Sequence, residues 1–208
     1  MDIEFVKPMD IEKRSFEIIE RELGDRKFPE DQYDIIRRVI HTSADFDYAD
    51  NLKFSDNAVE TALKALQSGA DIVTDTNMAF SGINKKILNE LGGEAHCFMA
   101  DEDVFYEAKK RGITRAMVCM EKACKLDKKL IFAIGNAPTA LIRLNELVSE
   151  GAVNPELIIG VPVGFVNVAE SKELIMNGSA PYIVAEGNKG GSNIAAAICN
   201  ALLYKIKR

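Results

Sequence analysis

At 208 residues, with 47% apolar and 28% charged side chains, the chain has the size and balance of one folded globular domain, 1–208, and excludes global disorder. A formal net charge of −6 argues against a nucleic-acid or anionic-membrane partner, both of which need a basic stripe. Glu4, Lys7, Asp10 and Glu12 interrupt the first residues and no run approaches about 18 apolar residues, so neither a secretory signal nor a membrane span is expected and the location reads as cytoplasmic.

The first part, 1–68, reads as helical. Pro8 begins a segment carrying Ile11, Phe16, Ile18, Ile19 and Leu23, which Gly24 suits as an end. Pro29 opens a second helix through Tyr33, Ile36, Val39 and Ile40. A third starts near Ser55, a plausible N-cap, and stops at Gly69. From 69 to 208 short apolar runs alternate with helical stretches. The runs are Ala70–Thr74, Ala95–Met99, Leu130–Gly135, Leu157–Val161 and Pro181–Ala185. The helical stretches lie near 81–91, 103–126, 137–150, 167–177 and 191–206. This alternation predicts a three-layer α/β fold: a mostly parallel five-stranded sheet, helices on both faces, and the N-terminal helices packed on as an appendage. Cys97, Cys119, Cys124 and Cys199 form no CxxC pair and read as small buried hydrophobes in a reducing compartment.

In such sheets ligands sit at the carboxyl ends of the strands. Those ends are Asp75-Thr76-Asn77-Met78, Gly135-Asn136-Ala137-Pro138-Thr139, Gly160 to Phe165, and Glu186 to Ser192. The last three lead into helix N-termini, whose free N–H groups suit carboxylates or phosphates; each is equally a tight turn with a helix cap. The nucleotide fingerprints fail. Gly187-x-x-Gly190-Gly191 is not GxGxxG and follows the last strand, and no GxxxxGK[ST] occurs, which disfavours a Rossmann-type oxidoreductase.

Two histidines are present. His96 sits in an apolar run and reads as structural, satisfied by a neighbour. His41 ends the second helix, where a histidine also suits the dipole; Arg38 lies one turn earlier on roughly the same face. Cation and proton donor together fit an acidic substrate that must be protonated.

Several ordered stretches carry a resemblance. They are Arg14-Ser15-Phe16, Val39-Ile40-His41, Gly69-Ala70-Asp71-Ile72 leading to Asp75 and Met78, Ala133 to Leu141, Gly160 to Val166 with Ala169-Glu170-Ser171-Lys172, and Gly190-Gly191-Ser192. In this series the chain resembles the precorrin-8X, or cobalt-precorrin-8, methylmutases of corrin biosynthesis. The resemblance implies an isomerase that moves a ring-C methyl group from C-11 to C-12, giving hydrogenobyrinate or cobyrinate. It also implies a parallel-sheet fold, a homodimer and no bound cofactor, any cobalt arriving with the substrate. The family's catalytic histidine falls on His41, and its substrate-contacting serine and arginine on Ser15 and Arg38. Asp75, Met78, Arg115, Asn136, Thr139, Gly190 and Gly191 complete the expected binding set. His41 is expected to act as general acid, inside a locally positive crevice that binds the macrocycle's carboxylates. Asp45, Asp47 and Asp50 either face solvent or act electrostatically on His41. A corrin-binding protein without catalysis would present the same pocket.

Overall fold

A computed structural model describes residues 3–207; Met1, Asp2 and Arg208 lie outside the described residues. After a 3-10 turn at Pro8–Asp10 come α1 (Ile11–Leu23), α2 (Glu30–Ser43), α3 (Tyr48–Asn51), β1 (Leu52–Phe54) and α4 (Ala58–Gln67). The alternating part follows: β2 (Asp71–Thr74), α5 (Asn77–Gly82), α6 (Lys85–Glu90), β3 (Ala95–His96), α7 (Glu102–Arg111), α8 (Arg115–Ala123) and β4 (Leu130–Ile134). The chain then adds α9 (Pro138–Ser149), β5 (Leu157–Gly160), α10 (Val168–Met176), β6 (Tyr182–Ala185) and α11 (Ser192–Ile206).

The sheet has the order β1-β6-β5-β4-β2-β3, all parallel except β1, which pairs antiparallel with β6. It therefore has six strands, not five. Leu52-Lys53-Phe54 is too short to show an alternating pattern, and its pairing is fixed from outside: Ser55 N–H donates to the Tyr182 carbonyl at 3.0 Å. Ser55 does not cap the third helix. Its hydroxyl accepts the Tyr182 N–H at 2.9 Å, and α4 starts later, after Asn57 at φ 58°. The expected strand at 95–99 keeps only two residues, and the stretches 81–91 and 103–126 each split in two. Asn84 caps α6 by accepting from Ile87 N–H. Gly112 ends α7 at φ 65°, and Thr114 caps α8.

Each sheet face carries its own apolar layer. On one side α7 to α10 bring Met120, Leu141, Leu144 and Ile175 onto Phe132 and Ile158. On the other, α11 lies between the sheet and α2, which explains why it is apolar all round: Ile194, Ile198, Leu202 and Leu203 are buried together. The N-terminal helices pack outside α11, with Ile35, Ile36, Val39 and Ile40 of α2 joining the same core. Each such side chain contributes about 1.5–3 kcal/mol by leaving water. Among the described residues no helix is long and apolar enough to cross a membrane.

Candidate active site

The apolar side of α2 fixes what its other side presents. With Ile36, Val39 and Ile40 buried, Asp34, Arg37, Arg38 and His41, spaced three, four and seven apart, form a stripe along the helix. That stripe meets Phe16 of α1. The guanidinium carbons of Arg37 and Arg38 lie 4.4 and 4.9 Å from the Phe16 ring centre, and the His41 ring meets it edge-on at 5.2 Å and 63°. Tyr204 of α11 flanks Arg38 at 5.3 Å. Each cation over an aromatic face contributes about 0.5–2 kcal/mol, depending on desolvation.

A cleft of about 220 Å³ opens here, lined by Phe16, Asp34, Arg37, Arg38, Tyr204 and Lys205. Three cations line it, and each is matched by a carboxylate of α1 or α2. Arg38 is paired with Glu12, Arg37 with Glu20 and Asp34, and Lys205 with Asp34 at 3.0 Å. Arg37 Nε is buried and has no hydrogen-bond acceptor among the described residues. His41 is exposed beside this cleft, open to exchange a proton with a ligand. Ser15 stands next to Phe16, with its hydroxyl donating to the Ile11 carbonyl at 2.9 Å.

The carboxyl edge of the sheet is built differently. Asp75, expected to meet substrate, is 1% exposed. Its carboxylate accepts the N–H groups of Gly135, Asn136 and Ala137 at 2.9, 2.8 and 2.6 Å. Burial pushes its pKa up, opposed by those three donors. These amides lie in the loop just before α9, which begins at Pro138, and are occupied by the protein's own carboxylate instead of a ligand's. Gly190 and Gly191 also face inward. A Cβ on Gly190 would stand 2.1 Å from the Val161 carbonyl oxygen, and Gly191, at φ 140°, donates its N–H to that same oxygen at 2.8 Å. Both serve close packing of the β6–α11 loop on β5, which a sequence motif does not distinguish from a ligand approach.

Other expected binding residues scatter. Asn136 is exposed and Met78 is 69% exposed, so both are open to a ligand. The Thr139 and Thr114 hydroxyls hydrogen-bond to each other at 2.9 Å. Arg115 begins α8, on the sheet face opposite α2, and donates to the Met99 carbonyl at 3.1 Å. Within one chain the structure joins His41 and Arg38 around Phe16 and leaves Arg115 apart. Phe16, Arg37, Tyr204 and Lys205 escaped the sequence reading as site residues. The Asp34–His41 spacing was the available signal; nothing in sequence tied α11 to it. His96 is structural, Nε2 standing 2.9 Å from the buried Asp71 carboxylate.

Of the acidic residues after His41, Asp45 and Asp47 both hold Lys189 Nζ, at 2.6 Å each, and Asp50 pairs with Arg26. The Lys189 hydrogen bond holds Asp45 below the usual carboxylate range.

The sequence profile of the precorrin-8X methylmutase family matches residues 10–205. The cobalt-precorrin-8 methylmutase of Priestia megaterium is 46% identical over 197 residues, 95% of this chain and 88% of that protein. The one from Salmonella typhimurium is 46% identical over 207 residues, 97% of each. The crystal structure of precorrin-8x methyl mutase from Thermus thermophilus superposes with a TM-score of 0.85 at 39% identity, covering 94% of this chain and 96% of that one. The chain belongs to the precorrin-8X methylmutase family. It is therefore an isomerase of cobalamin biosynthesis, and the matched span of this methylmutase takes in both the Phe16 cleft and the carboxyl edge.

Proposed function

We propose that this methylmutase moves the methyl group of precorrin-8 or cobalt-precorrin-8 from C-11 to C-12, with His41 as the general acid. The observation that carries this is the exposed His41 imidazole held edge-on against Phe16, beside a cleft lined by Arg37, Arg38 and Lys205. The bond from C-11 to the methyl breaks and the bond to C-12 forms, so composition is conserved. A proton from the imidazolium onto the conjugated ring system promotes the shift and returns to the imidazole afterwards. The step balances without a redox carrier or nucleophile, so the reading calls for no resident cofactor, and any cobalt is part of the substrate.

Arg37, Arg38 and Lys205 would bind carboxylates on the macrocycle's rim, exchanging carboxyl partners such as Glu12 for those of the ligand. A pocket for a drug-sized molecule encloses roughly 300–1,000 Å³, and a corrin is larger than a drug, so this cleft seats only part of it. We therefore propose a homodimer in which a second copy closes the site. Phe5 and Met9, 94% and 93% exposed at the entry to α1, are the apolar surface such a contact would cover.

The test mixes purified protein with precorrin-8, with and without cobalt, and follows the visible spectrum. Wild type is expected to turn over many equivalents. His41→Ala is expected to lose about a hundredfold to ten-thousandfold in rate while still binding the corrin product. Full activity in that variant overturns the role of His41, and a wild type that binds without turnover overturns the enzyme reading for this substrate.

A further inference from the structure

Lys172, on α10, is fully buried, and no carboxylate touches its ammonium among the described residues. A buried charge without a counter-ion is costly and is retained only where its hydrogen bonds accomplish something. Its two acceptors are the carbonyls of Gly187 and Lys189, at 2.6 and 2.8 Å, both in the β6–α11 loop. The backbone of Lys189 is thereby fixed from below.

The side chain of Lys189 reaches the other way. It bridges Asp45 and Asp47, just past the end of α2. That end is itself tightly turned. Ala44 takes a left-handed conformation, φ 53°, and returns its N–H to the Ile40 carbonyl at 2.7 Å. The Asp45 N–H donates to the Ser43 hydroxyl, and the Asp47 N–H to the Asp45 carboxylate at 3.0 Å. His41 lies in the last turn of this helix, one side chain from the knot. An isolated exposed ion pair is worth little. Here two carboxylates converge on one ammonium whose backbone is pinned by a second, buried one, so the geometry is defined at both ends.

We propose that Lys172 and Lys189 are positioning residues for the methyl shift: a two-lysine tie that holds the C-terminal end of α2, and with it His41, against the carboxyl edge of the sheet. The proposal rests on His41 being the acid. Neither lysine touches the reacting atoms. Their contribution is to keep the imidazole at one distance from the ring it protonates, where displacement by about 1 Å costs on the order of a hundredfold in rate.

Lys189 is at the surface, so its variants are expected to fold. Lys189→Ala is expected to lower kcat about tenfold to a hundredfold while KM stays close to wild type, the split expected when orientation and not binding is lost. Lys189→Arg still bridges two carboxylates and is expected to restore most of the rate. The chain has only two histidines, so ring NMR reads the same point without turnover. In Lys189→Ala the His41 ring signals are expected to shift and broaden while those of His96 stay fixed. Lys172→Met is expected to reproduce both effects if it folds; if it does not, the Lys189 pair decides. An unchanged kcat with unchanged His41 signals overturns the tie, and so does an effect confined to KM, which would make Lys189 a substrate contact. A wild type inactive on both substrates overturns the isomerase reading instead, and the His41 signals still decide the tie.

Discussion

The β4–α9 loop and the α1–α2 cleft both gather polar groups, yet they use them in opposite ways. At the loop, Asp75 saturates three backbone amides, Gly135 leaves room for Ser192, and the Thr76 and Ser192 hydroxyls meet at 2.7 Å. Those groups are satisfied within the fold. In the cleft, Arg37 keeps an unaccepted Nε, the cations rest on aromatic faces, and His41 is open to solvent. Strand ends are the usual place to look for a ligand in an α/β sheet. In this protein part of that edge is a scaffold, and much of the free chemistry sits in the helical layer beside it.

The largest expected effect breaks the scaffold. Gly190→Ala places a methyl group 2.1 Å from the Val161 carbonyl oxygen, and backbone has to move. A loss of about 3 kcal/mol or more is expected in chemical denaturation, with activity following stability. If Gly190→Ala unfolds like wild type but no longer binds corrin, the loop is a ligand site and not a scaffold.

Lys172 sharpens the contrast through pH. Burial depresses its pKa to about 8, against 10.5 when unfolded. Between those values the unfolded chain binds the extra proton, so this group's contribution makes stability rise with pH from about 8 to about 10.5. Below 8 the folded state carries the full cost of the buried charge. The rise is of the order of 3 kcal/mol at most. Lys172→Met removes it, so the difference between variant and wild-type unfolding free energies is expected to change across that window. A difference independent of pH refutes this account of the lysine. The neutral amine keeps two protons, enough for both carbonyls, so the loop stays tied while the charge titrates.

Asp75→Asn is expected to cost about 1–3 kcal/mol, since an amide turns one NH2 toward backbone donors that need an acceptor. Its effect on corrin affinity is expected to be no larger than its effect on folding. A variant that folds normally but binds product tenfold more weakly would return Asp75 to the ligand.

Where the fold was legible, a local pattern was strong. The parallel strands lie in continuous apolar runs such as Leu130–Ile134, and the α/β alternation is written in their spacing. β1 was hidden because its three residues owe their conformation to partners about 130 positions away. Within the site, His41 and Arg38 were legible because a three-residue spacing on one helix survives in sequence. Tyr204 and Lys205 were not, because only tertiary packing lays α11 along α2. Asp75 was legible as a polar residue at a strand end, but a carboxylate aimed at solvent and one folded back onto its neighbour's amides share the same letters.

The smallest effect tests the cleft by itself. Phe16→Leu keeps an apolar side chain of similar size at a half-buried position, so stability is expected to change by only about 1 kcal/mol. It removes the ring against which Arg37, Arg38 and His41 are arrayed. If the aromatic face holds the imidazole in place, kcat falls and the His41 ring signals shift, whereas Asp75→Asn leaves those signals untouched. If the three side chains are instead held by Glu12, Glu20 and Asp34, the ring is filler and kcat survives. The two outcomes separate a cleft organised by its aromatic centre from one organised by its charges, and kcat measured beside the unfolding free energy distinguishes them.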